Sequence, residues 1–474
     1  MFRKTLYTIL LLMMCSIASA QSYSVIVTNP QLSAMYKIIN DLGYEHFITG
    51  ACKDFKTIMI VPTNEGIAEY IDPLSYGNEK LNMWQITYGN VGKTKGWFAG
   101  IYDCGFNVST HSWEKGDSLT MINATINISQ SAPLGNRLKD LLDNSIIMGE
   151  YNEGKLYYKT IGNMIVRIDG IEKGSTIYGP LQMEYNTPLT VVESIVEDGR
   201  LVLVVDGPIM GSRKSVYKLL SEKPEFSKFS EIVAGCLLLC NTERNRNVVA
   251  VGGANLFYKL SLSRGPYGNP ELTKYRYLLN DFHYTIYAPT NAAMDEAFAK
   301  GLPTLDDLAA AYEYDEVNQS DSAAKIIEIM RNFVVYHIQD HSVFIDKGAK
   351  GGKYTTAKNV FKLNSYTDSD GNASTEYKAV MPYKVNVDVT ESSLRVTDAL
   401  GNTHNVLTNS GLYNLVSNEY WANGGSSLEQ NPTSFRLVNS STVVIHAIDG
   451  PLMYSNKQFV NEYWDNNYFH YTRD

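Results

Sequence analysis

Aromatic side chains are the residues of this sequence best suited to hold a ligand. The 474 residues include 33 Tyr, 16 Phe and 5 Trp. Such rings stack on sugar faces and also anchor protein interfaces. We therefore take Trp84, Trp97, Tyr420 and Trp421 as candidate binding residues. The alternative is that these rings fill half-buried strand positions, where aromatic residues are also common.

An acidic stretch offers the pattern of a cation loop. Asp368, Asp370 and Asn372 alternate in "YTDSDGNASTE". In an EF-hand loop the glycine stands sixth, whereas here it stands fourth. Asp-Gly is a strong hairpin signal, so we expect a turn and no bound metal.

Catalytic motifs are missing from the sequence. It has no G-x-S-x-G, no H-E-x-x-H, no phosphate-binding loop and no dinucleotide fingerprint. We therefore predict a protein that is not an enzyme and needs no cofactor. Cys236 and Cys240, at i and i+4, are expected to be buried thiols, and a disulfide between Cys52 and Cys104 stays open.

The elements that carry these residues show an internal repeat. An apolar, strand-like run ends twice in Pro-Thr-Asn. Proline cannot donate a ladder hydrogen bond, so the strand stops there. Thr or Asn then caps the helix that follows. The six corner residues are Pro62, Thr63, Asn64, Pro289, Thr290 and Asn291.

Two further landmarks recur in the same order. A helical segment with Tyr-Lys comes first, at 35–50 and at 216–235. A β-branched run ending in Asp-Gly-Pro comes last, with Asp206 and Gly207 in one copy and Asp449 and Gly450 in the other. Three landmarks in one order predict a tandem duplication. We expect domains at 21–212 and 213–458, followed by an aromatic-rich tail at 459–474.

At these residues the chain resembles the fasciclin domain family of extracellular adhesion modules. The family's two signatures resemble "TIYAPTNAAMDEAF" (285–298) and "VVIHAIDGPLM" (443–453), and its Tyr-His pair matches Tyr336 and His337. The resemblance implies an α+β fold of two tandem fasciclin-like domains. Each would be a β-sandwich or wedge with helices packed on one side.

The resemblance also assigns roles to two histidines. Tyr336 and His337 would either form a recognition patch or tie two elements of the core together. His446 shares a strand face with Val444 and Ile448 and is expected to be structural. The first copy departs from the family, because "LLDNSI" stands where Tyr-His is expected, with Asp143 and Asn144 nearest.

The first 20 residues have the pattern of an export signal. Arg3 and Lys4 precede an apolar stretch, and "ASA" ends at Ala20. Lipid attachment at Cys15 is the less favoured alternative. No later apolar run reaches the roughly 18 residues of a membrane span. We expect a secreted or cell-surface protein, including an outer-membrane location.

The net negative charge of the chain argues against one class of partner. The net charge is −9, and removal of Arg3 and Lys4 leaves 39 basic against 50 acidic residues, or −11. We therefore expect no nucleic acid partner, because phosphate binding needs a basic face. The oligomeric state stays open.

These observations predict a non-catalytic adhesion or binding protein. Its loops would bind a cell-surface or matrix protein or an extracellular polysaccharide. The alternative is a surface glycan-capture component that feeds a transporter or an enzyme. We expect specificity to reside in insertions at roughly 75–135, 241–280 and 415–437, because loops on a scaffold accept such additions.

Overall fold

The computed structural model describes residues 24–45, 56–68, 70–72, 82–91, 93–107, 112–125, 133–197, 200–212, 216–238, 283–318, 322–367, 371–423 and 436–459. The chain folds into two compact units. The first unit consists mainly of Met1–Arg213, and the second consists mainly of the residues from Lys214 onward. Helices and sheets occur in both units, so the chain is α+β.

The first unit contains short helices and two sheets. Its helices are α1 (Ser24–Thr28), α2 (Ser33–Asp41), α3 (Asn64–Ala68), α4 (Pro133–Asp143) and α5 (Pro180–Tyr185), with a 3-10 turn at Pro30–Leu32. Its strands are β1 (Thr57–Pro62), β2 (Ile71–Asp72), β3 (Asn82–Val91), β4 (Thr94–Asn107), β5 (Ser112–Thr125), β6 (Ile146–Met148), β7 (Tyr157–Lys159), β8 (Ile165–Ile168), β9 (Thr176–Tyr178), β10 (Leu189–Glu197) and β11 (Arg200–Val205).

The main sheet of the first unit closes on itself. Its seven strands run in the order β6-β1-β11-β10-β9-β8-β7. A bridge between Ile147 and Thr160 then joins the first edge to the last. The expected wedge of two sheets is therefore a curled, barrel-like sheet, because closure removes both unpaired edges.

Strands β1 and β11 are neighbours in that sheet and run parallel to each other. Every residue of both strands is buried. Parallel strands covered on both faces read as continuous apolar runs, and "TIMIV" and "LVLVV" follow this rule. On one face they meet helices α2 and α4, where Met59, Val61 and Val204 share a core with the helix residues.

The segment predicted as a loop insertion at 75–135 is largely strand in its described part. Strands β2 to β5 form a separate four-stranded antiparallel sheet. Trp97 and Ala99 of β4 are buried in the same core as α2. The insertion is therefore an added sheet anchored in the first unit.

The second unit has longer helices. They are α6 (Val216–Ser221), α7 (Ser227–Leu238), α8 (Asn291–Ala299), α9 (Leu305–Asn318) and α10 (Ser322–Tyr336), with 3-10 turns at Pro224–Phe226 and Thr408–Ser410. Its strands are β12 (His283–Pro289), β13 (Ile338–Asp340), β14 (Gly352–Thr367), β15 (Ala373–Val389), β16 (Leu394–Thr397), β17 (Thr403–Asn405), β18 (Leu415–Asn423) and β19 (Arg436–Ile448).

The sheet of the second unit repeats this closure. Its order is β17-β16-β15-β14-β13-β12-β19-β18. A bridge between Val406, just after β17, and Ile448 of β19 completes the ring and leaves β18 outside it. Strand β19 separates two cores, because alternate residues point to opposite faces. Val443, Ile445 and Ala447 join the core that includes the helices, and Ile448 joins a second core with Tyr287 and Tyr336.

Within the described residues, no helix combines the length and the apolar character needed to cross a membrane. The proposed export signal at 1–20, Cys52, Cys240 and the insertion at 241–280 lie outside the described residues, as does the tail after residue 459.

Candidate functional site

The Pro-Thr-Asn corner has the same surroundings in both units. Strand β1 pairs in parallel with β11 up to Pro62 opposite Val205, and β12 pairs with β19 up to Pro289 opposite Ile448. The strand that stops at proline therefore lies beside the strand that ends before Asp-Gly-Pro in each case.

Threonine caps the helix after each corner. The Thr63 Oγ1 accepts a hydrogen bond from the Gly66 N–H at 3.2 Å. The Thr290 Oγ1 accepts one from the Ala293 N–H at 3.4 Å. The sequence allows either Thr or Asn as the helix cap, and in the structure the cap is threonine.

Asparagine has a different task at the corner, because it clamps the preceding helix. The Asn64 Nδ2 donates to the Pro30 carbonyl at 2.8 Å and to the Ser33 Oγ at 3.0 Å. Its Oδ1 accepts from the Ala34 N–H at 2.8 Å. One amide side chain therefore ties the corner to the first turn of α2.

Asn291 repeats this pattern bond for bond. Its Nδ2 donates to the Pro224 carbonyl at 2.9 Å and to the Ser227 Oγ at 3.0 Å. Its Oδ1 accepts from the Lys228 N–H at 3.1 Å. We call this three-bond arrangement the asparagine clamp.

The clamp shows which helix of the first unit corresponds to which helix of the second, and this differs from the correspondence predicted from the sequence. The sequence pattern pairs Tyr-Lys at 36–37 with Tyr-Lys at 217–218. In the structure the equivalent segments are "PQLSA" at 30–34 and "PEFSK" at 224–228, each a 3-10 turn followed by a helix that begins at serine. Tyr217 lies one helix earlier, in α6. The Tyr-Lys match is therefore wrong, because the clamp depends on proline and serine.

The aspartates of the closing motif also have equivalent bonds. The Asp206 Oδ1 accepts from the Thr190 N–H, and the Asp449 Oδ1 accepts from the Asn405 N–H, both at 2.8 Å. Each aspartate N–H donates back to the carbonyl of the same partner. The motif thus fastens the end of the central strand to its neighbour.

The two closing glycines are not equally crowded. A Cβ on Gly450 would lie 2.3 Å from the His404 Nδ1, whereas one on Gly207 would lie 3.2 Å from the Leu189 Cδ2. His404 therefore makes glycine necessary in the second unit.

The Tyr-His pair lies inside the second unit. His337 is 0 % exposed. Its Nδ1 contacts the Phe333 carbonyl at 2.8 Å, and its Nε2 accepts from the Leu452 N–H at 3.0 Å. The acceptor role of Nε2 places the proton on Nδ1. The ring is therefore neutral, and it joins the end of α10 to the segment after Asp449.

Burial explains this protonation state. It lowers the pKa of His337 to about 3, against the weaker opposing effect of the Phe333 carbonyl. Tyr336 is also 0 % exposed, and its hydroxyl accepts from the Ala399 N–H at 2.8 Å. Burial raises the pKa of that phenol. A surface recognition patch of Tyr336 and His337 is excluded by this burial, and the structural alternative describes the pair.

In the first unit Asn144 and Ser145 occupy the position of the Tyr-His pair. The Ile60 N–H donates to the Ser145 carbonyl, as the Tyr287 N–H does to the His337 carbonyl. The Ser145 hydroxyl donates to the Leu141 carbonyl four residues earlier, as in the bond of His337 to Phe333. Asn144 was identified from the sequence, but the pair lies one residue later than Asp143 and Asn144.

Serine is too short to reach the closing segment, so another side chain does so. The Gln182 Oε1 accepts from the Met210 N–H at 3.1 Å, and its Nε2 donates to the Pro208 carbonyl at 2.9 Å. In the second unit the Asp398 Oδ2 accepts from the Met453 N–H at 3.0 Å. Sequence analysis missed both Gln182 and Asp398, since neither belongs to a recognisable motif.

His446 is buried and bonded to the backbone on both ring nitrogens. It is 0 % exposed, and its Nε2 contacts the Val343 carbonyl at 2.8 Å. Its Nδ1 accepts from the Asn414 N–H at 3.2 Å, so Nε2 carries the proton. Burial lowers the pKa of His446 to about 4.

The candidate aromatic residues do not form one described site. Trp97 is 0 % exposed, and its Nε1 donates to the Asp41 Oδ2 at 2.9 Å. It is therefore a core residue, and its expected role in ligand contact is wrong for this fold. Trp84 lies on β3, and Tyr420 and Trp421 lie on β18. Their side chains are outside the described part, so their binding role stays a prediction.

Charged residues also gather in the core of the first unit. The Arg137 Nε donates to the Asp72 Oδ2 at 2.5 Å, and its Nη2 to the Asp140 Oδ2 at 2.9 Å. Asp72 is 0 % exposed. Burial raises the pKa of Asp140, although Arg137 opposes this. Both carboxylates are therefore held by the same guanidinium group.

The described residues contain no group of three or more His, Cys, Asp or Glu that could hold a metal ion. No family model matches the chain, and no curated protein matches it. One solved structure to which it is similar is a FAS1 domain pair from the insect cell adhesion molecule fasciclin I. That likeness has 11 % identity and covers 91 % of this chain and 100 % of the other, with a TM-score of 0.26. A score this low informs neither the fold nor the function.

Proposed function

We propose that this is an exported, non-catalytic binding protein built from two tandem fasciclin-like domains. The observation that carries the proposal is the repeated corner. Two segments more than 200 residues apart form the same parallel strand pair, the same threonine cap and the same asparagine clamp. Such agreement in long-range bonds supports two copies of one folded unit, the arrangement implied by the sequence resemblance to adhesion modules.

We place ligand contact on strands that continue beyond the ring of the second unit, in a segment outside the insertions predicted from the sequence. Strand β13 pairs with β14 only at Thr356 of β14, and β16 pairs with β15 only along Asn386–Val389 of β15. Between these points Asn359–Thr367 pairs with Ala373–Pro382. This two-stranded segment, the β14–β15 ribbon, extends past the strands that close the ring.

The register of the ribbon divides its residues into two sets. Phe361 is opposite Ala379, and Leu363 is opposite Tyr377. The intervening pairs include Lys362 with Lys378 and Asn364 with Glu376. Because successive strand residues alternate between faces, the sequence gives one apolar and one polar set. A two-stranded ribbon is marginal in water by itself, so a bound partner would stabilise it.

The test is a binding screen followed by shortening of the ribbon. The exported protein is applied to a glycan microarray and to a library of surface proteins, which separates a polysaccharide from a protein partner. In the variant, Val360–Met381 is replaced by Asn-Gly, which removes all of the pairs named above. That two-residue turn suits the hairpin opened at the Asn359–Pro382 pair.

We expect the shortened protein to lose at least about tenfold in affinity, roughly 1.4 kcal/mol, while its unfolding midpoint is unchanged. The matched control is Val196→Ser, at a strand end in the first unit where the side chain is 72 % exposed. Full affinity in the shortened protein would show that the ribbon is not the binding element. Turnover of a bound polysaccharide would contradict the non-catalytic assignment.

A further inference from the structure

Helix α9 of the second unit has one side buried in the protein. Leu308 and Ala311 belong to the core that includes the helices, where α9 lies against α7 and α10. Leu305 and Tyr312 pack against the same core. In the first unit the corresponding stretch of chain, between α3 and α4, forms strands β2 to β5 in its described part. Helix α9 is therefore an addition that the repeated fold does not require.

The outer side of α9 is apolar as well. Val317 is 81 % exposed and Tyr314 is 56 % exposed, which makes them two of the most exposed large apolar side chains among the described residues. Ala310 is exposed too. Residues three and four positions apart are neighbours on a helix surface, so these three side chains form one continuous stripe. We call Ala310, Tyr314 and Val317 the outer stripe.

Carboxylates accompany the outer stripe. Asp306 and Glu313 are exposed, and at about 100° per residue both lie beside the stripe on the same half of the helix. Within the described part of the chain, neither carboxylate has an ion-pair or hydrogen-bond partner. Asp315 is already used, because it accepts from the Ser322 and Ala323 N–H groups and so caps α10.

No positive charge on α9 balances these acids. Its sequence, "LDDLAAAYEYDEVN", contains neither Lys nor Arg, and its last turn has no basic residue. The C-terminal end of a helix carries a partial negative charge that favours nearby cations. Glu313 and the end of α9 therefore give the outer stripe a negative rim, which attracts a basic partner.

We propose that the outer stripe is the docking site of a basic amphipathic helix of a partner protein. Apolar side chains of the partner pack on Tyr314 and Val317, and the small Ala310 lets the two helix axes approach closely. Lysines or arginines beside them face the acids, as the charges that flank the seam of a coiled coil do. The outer stripe and the β14–β15 ribbon share no residue, so either can bind without the other.

A second copy of this chain is a poorer occupant of the stripe. Two copies of α9 packed together would bring like charges, Asp306 and Glu313 of each chain, into the same interface, which costs binding energy. Sedimentation of the protein alone checks this point. We expect the same association state in the native chain and in a chain with Tyr314→Ser and Val317→Ser. A dimer that only the native chain forms would overturn the assignment of a basic partner.

The main test measures the binding of a designed peptide to the native, full-length protein by fluorescence anisotropy. The labelled peptide has about 18 residues, enough to form a helix, and consists of leucine and lysine with the leucines on one helix face. A scrambled peptide of the same composition keeps the charge and loses that face. We expect the ordered peptide to bind saturably and at least about tenfold more tightly than the scrambled one. Equal affinities, or no saturable binding, would overturn the proposal.

The double variant Tyr314→Ser and Val317→Ser locates the binding site. Both side chains are exposed, and serine has about the same helix propensity as tyrosine and valine, so the unfolding midpoint should not change. Affinity for the ordered peptide should fall at least about tenfold. The matched control is Val196→Ser, which removes an exposed apolar side chain of the first unit and should leave the affinity unaltered. Full affinity in the double variant would exclude the outer stripe as the site.

Glu313→Lys tests the charge of the partner. A lysine near the end of a helix interacts favourably with the helix dipole, so weaker binding would not arise from loss of α9. We expect the affinity to fall at least about threefold at low ionic strength, and added salt should reduce the difference from the native chain. The matched control is Glu391→Lys, which changes the net charge equally at an exposed position after β15. Equal losses in the two variants would refute a specific role for the rim of α9.

Discussion

His337 and His446 are buried in their neutral form, so we predict that the second unit loses stability in mild acid. Both rings accept a backbone hydrogen bond on one nitrogen, which a proton would abolish. Their native pKa values, about 3 and about 4, lie below the roughly 6.5 of an unfolded histidine. The unfolded chain therefore binds more protons, and stability is full above pH 6.5 and falls as the pH decreases toward 4 and 3.

The magnitude follows from these values. At pH 5 an unfolded histidine is almost fully protonated, whereas both native rings remain mostly neutral. Each histidine then costs about 2 kcal/mol of unfolding free energy relative to pH 7.5. The two effects together amount to about 4 kcal/mol. Near pH 5 the slope should be about 2.5 kcal/mol per pH unit.

His337→Gln tests this account. Glutamine offers a neutral donor and acceptor but does not titrate. Urea unfolding at pH 7.5 and 5.0, followed by circular dichroism, should show the pH effect reduced by about 2 kcal/mol. The control is His341→Gln, with a side chain that is 54 % exposed, which should leave the pH effect unchanged. If His337→Gln retained the full pH dependence, the neutral, buried state of His337 would be refuted.

Two further predictions concern packing. Arg137→Met should lower the free energy of unfolding by about 3–5 kcal/mol, because it removes the guanidinium group that pairs with the buried Asp72 and Asp140 carboxylates. Thermal melts of this variant and of a double variant with Asp72→Leu measure the loss, and the double variant should recover most of it. Gly450→Ala should lower the free energy of unfolding by about 1–3 kcal/mol, because the new Cβ clashes with His404. Gly207→Ala should lower it by less than about 1 kcal/mol. Equal losses for the two variants in urea titrations would contradict the difference in crowding around the two glycines.

Sequence reasoning found the corners because their signals are local. A proline stops the strand, and a threonine three residues before a free N–H caps the helix. It did not find the asparagine clamp, because the clamp joins residues 34 and 67 positions apart. Such a distance is fixed by the fold, and the misleading Tyr-Lys similarity suggested a different pairing.

The closure of each ring and the burial of individual side chains also could not be predicted from the sequence. Each ring is completed by a single bridge, Ile147 with Thr160 and Val406 with Ile448, and one pair gives no recognisable pattern. Trp97 suits either a ligand site or a core, and only the position of Asp41 beside its ring nitrogen decides for the core. His337 was ambiguous for the same reason, since its partner Leu452 lies 115 residues away.

The most direct test of the central claim compares the two asparagine clamps by native-state hydrogen exchange. Asn64→Ala and Asn291→Ala each remove three hydrogen bonds of similar geometry. Each should lower local protection in its own leading helix, α2 or α7, by about 1–3 kcal/mol and leave the other helix unaffected. Loss of protection in only one of the two variants would contradict the view that both units are held together in the same way.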